Sequence, residues 1–574
     1  MSSIIALKAL NQYRKRDVYA YLGLRYYLDN ASANNDAWIR TVCSKLVIEG
    51  TDQGYLKTYH YKDTDENGYI HRDVYLPTPN ETLSEALLIN ELSKYKSFHP
   101  KPYVFSYRFA QENDSSGLFL PYFNGMKERH DFIAKLCWEN EDNFVLYTDI
   151  KKFYPSIKYD DAKRVWVEKC LKSDIDTKYV SLGSKLLESH LEVNKKNNTG
   201  NGVLTGPMFS HVIANLLLDD IDTKMFDLTN GRYCRYVDDV ILVGSYDEIQ
   251  QWRSELEGQF SNLGLDLHDG DKDFSVPNQQ WLAGEKDFNS SISTSWMKLI
   301  ADIKRFLFAN PKERDALAGA LNSQSIRIPV LDYSIVMSES SALEKLSDWV
   351  RKYKWSKRAI RKITIESIIS QADLCKREML EQLEEYISFM KGADEYEKKR
   401  YVPKIRFLSG RLIILLDSDE LLLLSQKLAE MKEFHQLVVT INCLVTRDVT
   451  ECLKMGANAT QAAAQLLSVS SLPVHININD FKDVSKDVIE QSLAVLDLNS
   501  IKYEIDLEPK ELRRLSKGID IESLMYSQDR YVKEVASLHG IGDVRHSDIL
   551  SSCFDRNEEL ALDILNQVQS SKSG

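Results

Sequence analysis

The sequence predicts an α+β first half followed by an all-α second half, and three features carry that expectation. Up to about residue 285, short strand-like runs ("KPYVFSYRFA", "NFVLYTDI", "CRYVDDVILVG") alternate with helical stretches. From about residue 298 the chain reads as successive amphipathic helices, among them "SALEKLSDWVRKYK", "LCKREMLEQLEEYISFMK" and "SDELLLLSQKLAEMKEF". Between the two lies a polar, Ser-rich stretch, "GEKDFNSSISTSWMK". The expected domains are therefore 1–290, mixed, and 291–574, an α-helical repeat built as a bundle or an irregular solenoid.

Composition bounds the class. At 574 residues, about two to four domains are expected. A content of 43% hydrophobic and 28% charged residues is that of a globular chain and excludes a disordered one. The formal net charge of −12 gives no global attraction to nucleic acid, so such a partner needs a local basic patch. Eight cysteines are scattered without a CxxC pair, which argues against a zinc site. The start, "MSSIIALKALNQYRKRDVY", has no apolar signal core, and "RLIILLDSDELLLL" is broken by charge well short of the roughly 20 residues of a membrane span. A reduced, cytoplasmic setting is expected.

The most informative stretch is "GRYCRYVDDVILVGS", 231–245. Val237, Val240, Ile241, Leu242 and Val243 are aliphatic, so Asp238 and Asp239 fall at the turn of a hairpin between buried strands. Aspartates suit turns, and a plain hairpin would explain them. Two adjacent acids nevertheless repel unless solvent or a cation screens them, and a divalent metal would do so. A third acid, Asp149, ends the run Phe144–Tyr147 in "NFVLYTDIKKFYPSI" and can project from the same sheet edge or simply cap a turn. Between them "GNGVLTGPMFSHVIANLLLDDID" reads as a glycine-bearing loop entering an amphipathic helix, able to let a nucleotide approach the backbone closely.

Taken in order, these stretches resemble the reverse transcriptase family. "YTDIKKFYPSI" resembles its first metal-binding motif, "GVLTGPMFSHVIANLLL" its loop–helix motif, "YVDD" its catalytic hairpin, and "LGLDLHDGDKDF" the motif that follows, with Lys272 at its end. The resemblance spans roughly residues 100–285. It implies a right-hand polymerase with fingers and palm in residues 1–290 and a helical domain, 291–574, where other members keep a thumb, serving nucleic-acid binding or oligomerisation. It further implies that Asp149, Asp238, Asp239 and the backbone carbonyl of Ile150 hold two Mg²⁺ ions, with Mn²⁺ as an alternative, for nucleotidyl transfer. Lys272 would protonate the leaving pyrophosphate, although a solvated turn lysine explains it equally. Tyr154, five residues after Asp149, stands where the family places the aromatic wall that excludes a 2′-hydroxyl, which implies dNTPs as substrates and DNA as product. Phe153 is the neighbour expected in the core. Thr205 and Gly206 would line the nucleotide site. Arg108 is the first candidate for the triphosphate, with Lys127 and Arg129 behind it, because a guanidinium grips phosphate in bidentate fashion.

The chain also departs from the family pattern. Leu204-Thr205-Gly206 stands where group II intron and retron enzymes usually carry Pro-Gln-Gly, and His211 where a proline usually follows the serine. These departures, "YVFSYRFA" and the long helical half resemble the abortive-infection, defence-associated reverse transcriptases of bacteria. That subfamily implies antiphage defence, untemplated synthesis or synthesis directed by a small non-coding RNA, single-stranded DNA product, priming from a protein hydroxyl, and a homo-oligomer. Two other readings use the same residues: a two-metal nuclease, and an RNA-binding scaffold with a relic site.

Weaker signals complete the inventory. "RKYKWSKRAIRK" sets Arg351, Lys352, Lys354, Lys357 and Arg358 around Tyr353 and Trp355, as suits single-stranded nucleic acid or a solvated helix face. "SLHGIGDVRH", 537–546, fits a helix-hairpin-helix turn or an ordinary helix C-cap. Asp219, Asp220 and Asp222 form a rival acid cluster, read as the polar end of a helix. "GNGVLTG" misses the dinucleotide spacing and is set aside.

Overall fold

The computed structural model describes residues 2–14, 18–29, 36–51, 54–66, 68–111, 117–270, 273–283, 291–328, 330, 363–467, 472–481, 484–506 and 527–540. The chain is α+β and divides into two compact units: Met1–Lys57 with Asp73–Phe288, and Thr58–Arg72 with Asn289–Gly574. A single cut near residue 290 would leave Thr58–Arg72 in the first half of the chain, whereas the structure groups it with the second.

In chain order the first unit contains α1 (Ser2–Arg14), α2 (Val18–Asp29), α3 (Asp36–Glu49), the base of the hairpin β1 (Tyr55–Asp65) and β2 (Gly68–Pro77), α4 (Pro79–Leu92), α5 (Tyr122–Glu139), β3 (Phe144–Asp149), α6 (Phe153–Ser156), α7 (Tyr159–Leu171), α8 (Thr177–Asn197), α9 (Met208–Leu228), β4 (Tyr233–Tyr236), β5 (Asp239–Gly244), α10 (Tyr246–Ser261), β6 (Phe274–Pro277) and α11 (Asn278–Ala283). Its centre is an antiparallel sheet of order β4-β5-β3-β6. Val240, Ile241, Leu242 and Val243 are all buried. Successive side chains of a strand point to opposite faces, so both faces of β5 are covered, which explains a continuous apolar run instead of alternation.

The strand expected over "YVFSYRFA" needs correction. "YVFSYRFA" forms no strand, only isolated bridges such as Val104 to Arg235. Tyr107 takes a left-handed φ of 51°, which breaks a ladder, and the Arg108 side chain folds back to accepting carbonyls of Val104 and Pro102. "LGLDLHD" likewise contributes one bridge, Ile150 to Leu267, beside the end of β3.

The sequence predicts an amphipathic helix at α9, whereas Met208–Leu218 is buried without interruption. Neighbours α4, α7, α10 and β4 pack against it, so its first three turns leave no face to solvent, and only the later turns expose polar residues such as Asp220, Lys224 and Asp227. Its first turn begins after Pro207 with no cap of its own, and the carboxylate of Glu85 on α4 supplies one. Glu85 accepts from the backbone N–H of Met208 at 2.6 Å and of Phe209 at 3.2 Å, and from the Tyr55 hydroxyl at 2.7 Å. A negative group there satisfies orphan donors at the positive end of the helix.

The second unit contains the hairpin tip and α12 (Ser291–Ala309), α13 (Arg314–Ser323), α14 (Ile365–Met390), α15 (Glu395–Leu415), α16 (Ser418–Ala429), α17 (His435–Thr446), α18 (Thr450–Lys454), α19 (Ala457–Leu467), β7 (Val474–Asn477), α20 (Lys486–Leu498), β8 (Tyr503–Asp506) and α21 (Arg530–Gly540). Sequence-adjacent helices pack in pairs, α14 on α15 and α16 on α17. Capping boxes at Thr364, Asp394 and Asp417 start α14, α15 and α16. One core is built from residues such as Trp296, Ile303, Met379, Leu408 and Leu412, and a second from Val439, Leu453, Val474, Ile476 and Leu493. Tyr61 and Tyr69 of the hairpin tip pack on the second core, and the Tyr69 hydroxyl donates to Glu451.

The expectation of an all-α second half is corrected here. β7 and β8 pair in parallel, with Val474 opposite Tyr503 and Asn477 opposite Asp506. Strands of four residues are too short for a period-two pattern to stand out from neighbouring helices. Among the described residues no helix is long and apolar enough to cross a membrane.

Burial pushes the Glu85 carboxyl up from 4.5 to about 7 against the pull of its three donors. Between those values the folded state keeps a proton that the unfolded chain gives up, so this group's contribution to stability falls as pH rises through the window. Urea unfolding of wild type and Glu85→Gln from pH 4.5 to 7.5 should show their difference moving against the wild type with rising pH. A difference independent of pH would contradict the assignment.

Candidate active site at the carboxylate hairpin

The first unit's sheet brings the three sequence-predicted acids together. In the register of β3 with β5, Asp149 lies directly opposite Asp239. Tyr236 lies opposite Asp239 across the hairpin, which leaves Val237 and Asp238 as its turn. Val237 adopts φ 59°, a left-handed conformation uncommon for a β-branched residue. Three contacts hold it there. Its N–H donates to the Ser106 hydroxyl at 2.8 Å, its carbonyl accepts from Arg235 at 2.7 Å, and the neighbouring Asp238 carbonyl accepts from the Ile150 N–H at 3.3 Å.

Arg235 is the pivot of that arrangement. It is wholly buried on β4, yet its guanidinium meets the Asp222 carboxylate of α9 through two hydrogen bonds, at 2.8 and 2.7 Å. Asn215 accepts from it at 3.2 Å, and the Tyr233 hydroxyl completes the Asp222 shell at 2.6 Å. The Asp219–Asp222 cluster thereby loses its claim as a rival site: Asp222 is consumed by Arg235, and Asp219 pairs with Lys169 at 2.5 Å.

The acids themselves differ in environment. Asp149 is 5% exposed and its carbonyl accepts from the His268 N–H at 2.7 Å. His268 Nε2 stands 4.0 Å from the Asp149 carboxylate. Burial, then the charges of Asp149 and Asp239, push Asp238 up to about 7. Two carboxylates this close cannot both ionise cheaply, and a proton or a cation must come between them. Asp239 is more open and stands 3.5 Å from the Arg129 guanidinium of α5, which also lies over the Tyr236 ring.

The Asp149–Asp238 pair therefore fits a hard divalent cation by its charge and oxygen donors. Among the described residues no three His, Cys, Asp or Glu side chains already form a metal cage, and Asp239 leans towards Arg129 instead. The Ile150 backbone, expected as a further ligand, runs against the hairpin turn through its N–H.

The remaining expected residues divide into three groups. Tyr154 is half-buried on α6, and its hydroxyl hydrogen-bonds with Nδ1 of His211, while Phe153 is 3% exposed in the core. Thr205 accepts from the Tyr75 N–H at 2.8 Å, and Gly206 adopts φ 123° where a Cβ would lie 2.4 Å from the Tyr75 carbonyl. Only glycine fits there, so this glycine is required by β2 whatever else approaches it. Arg108 is engaged on its own turn and with Glu128, whereas Lys127 is exposed. Lys272, the basic patch of Arg351, Lys352, Lys354, Trp355, Lys357 and Arg358, and residues 541–546 lie outside the described residues.

Sequence reasoning passed over Arg235, Ser106 and His268. An arginine inside an apolar strand is a signal for the first, because a charge on a buried strand demands a partner. Ser106 and His268 carry no such mark. No protein-family model matches the chain, and no curated protein matches it.

Asp222→Asn should cost about 3–5 kcal/mol in urea unfolding, since Arg235 is left buried without its counter-charge. The double variant Asp222→Leu/Arg235→Met should recover much of that loss. A single variant as stable as wild type would refute the pivot role.

Proposed function

We propose that the chain is a nucleotidyltransferase of the reverse transcriptase class that adds deoxynucleotides at the carboxylate hairpin. The observation that carries this reading is the convergence of Asp149, Asp238 and Asp239 at one end of an antiparallel sheet, with Asp238 pushed up to about 7 by burial and its acidic neighbours. A structural turn has no need of such crowding, and a catalytic centre that neutralises phosphate charge does. The departures from the family motif do not touch these three residues.

Asp149 and Asp238 would hold Mg²⁺, with Asp239 and the Ile150 carbonyl completing the shell. When bound, the metal lowers the pKa of the attacking hydroxyl and neutralises charge on the departing pyrophosphate. The primer hydroxyl oxygen forms a bond to the α-phosphorus, the α–β bridging bond breaks, pyrophosphate leaves, and the hydroxyl proton passes to water. Arg129, 3.5 Å from Asp239, is better disposed towards a triphosphate than Arg108, whose guanidinium is occupied by Glu128 and two carbonyls. Tyr154 would wall the sugar and exclude a 2′-hydroxyl. The first unit would serve as fingers and palm, and the second would replace a thumb, binding the DNA product or further copies of the chain. Antiphage defence, a partner RNA and protein priming rest on the motif resemblance.

The test uses the purified full chain, each labelled dNTP or rNTP, and Mg²⁺, with and without primer, template and cellular RNA. Deoxynucleotides should enter a polymer or become attached to the protein, chelation should abolish this, and Asp238→Ala should lower the rate about a thousandfold as several kcal/mol of charge stabilisation is lost. Absence of incorporation under all conditions would refute the reading. Metal-dependent release of nucleotides from nucleic acid would replace it with a nuclease.

A further inference from the structure

The side chain that would meet the sugar is not left to find its own rotamer. Besides the hydrogen bond between the Tyr154 hydroxyl and Nδ1 of His211, the two rings meet edge to face, 5.2 Å apart at 71°. His211 lies on buried α9 and is 3% exposed. Its ring is stacked on Tyr107, with centroids 3.7 Å apart and planes 6° from parallel. Tyr107 reaches that stack from a left-handed backbone, φ 51°. The residue before it, Ser106, fixes the conformation from both sides: its hydroxyl accepts from Val237 in the carboxylate hairpin, and its carbonyl accepts from Asn215 of α9 at 3.3 Å. One short segment, Ser106–Tyr107, thus grips the turn that carries Asp238 and backs the imidazole that holds Tyr154.

We propose that His211 is a positioning residue for nucleotide selection: it fixes the Tyr154 ring as a rigid wall against a 2′-hydroxyl, with Tyr107 clamping the imidazole from behind. The proposal rests on the polymerase reading above. A tyrosine free to rotate about χ1 gives way to an added oxygen atom, whereas one tied at its hydroxyl and braced at its face meets that oxygen with a steric clash. Discrimination then comes from rigidity as much as from size, and the histidine in the loop–helix motif acquires a role.

The experiment compares kcat/KM for each dNTP with that for the matching rNTP in the wild-type full chain, Tyr154→Phe, His211→Phe and the double variant. Each single variant should lower the dNTP-over-rNTP ratio about tenfold, the worth of one hydrogen bond of this kind, mainly through a lower KM for the ribonucleotide. The double variant should be no worse than either single one, because both remove the same bond. His211→Gln, which keeps an acceptor, should restore part of the ratio. If Tyr154→Phe or a folded His211→Phe retains the wild-type ratio, the proposal is overturned while the polymerase reading stands. Should His211→Phe fail to fold, Tyr154→Phe decides alone, since it removes only a hydroxyl. A wild-type chain that incorporates no nucleotide overturns the polymerase reading and this proposal together.

Discussion

The first unit is organised around one buried ion pair, Arg235 with Asp222. A guanidinium with no solvent exposure is tolerated only because its donors are matched: two oxygens of Asp222, the Asn215 side chain and the Val237 carbonyl. Those partners belong to different elements. Satisfying one charge therefore fixes α9, β4 and the hairpin turn relative to one another. The left-handed Val237, and with it the direction of Asp238, follows from that fixation.

A second constraint is set against the first. The hairpin forces Asp238 beside Asp149, and the sheet register forces Asp239 opposite Asp149. The fold relieves this repulsion only in part, by letting Asp238 keep a proton and by placing Arg129 near Asp239. A chain selected for stability alone would separate these acids. Crowding negative charge at a sheet edge costs stability, and under the proposed polymerase reading a bound cation would offset that cost.

Helix α9 links the two. Its N-terminus is held by Glu85, its first turns carry His211 and Asn215, and its later turns carry Asp222. Almost every residue of its first three turns is buried, so its position is determined by packing on all sides. Groups that hold the hairpin and the ring of Tyr154 therefore share one rigid support.

The sequence by itself determined the hairpin, the acids within it and the strand that ends at Asp149, because a run of aliphatic residues interrupted by two aspartates has few other solutions. It also determined that Phe153 is core and Tyr154 is not, and that the second half is mainly helical. Tertiary structure alone decided the partners. Glu85 and the start of α9, and Tyr107 and His211, are more than 100 residues apart in the chain, and even Arg235 and Asp222, 13 apart, lie on different elements that no local pattern pairs. It decided too that "YVFSYRFA" is an irregular clamp rather than a strand, and that β7 and β8 pair across α20. Local propensity is a property of neighbours in sequence, whereas a buried charge, an orphan helix donor or an edge-on ring is satisfied by whatever the fold brings within about 3 to 5 Å.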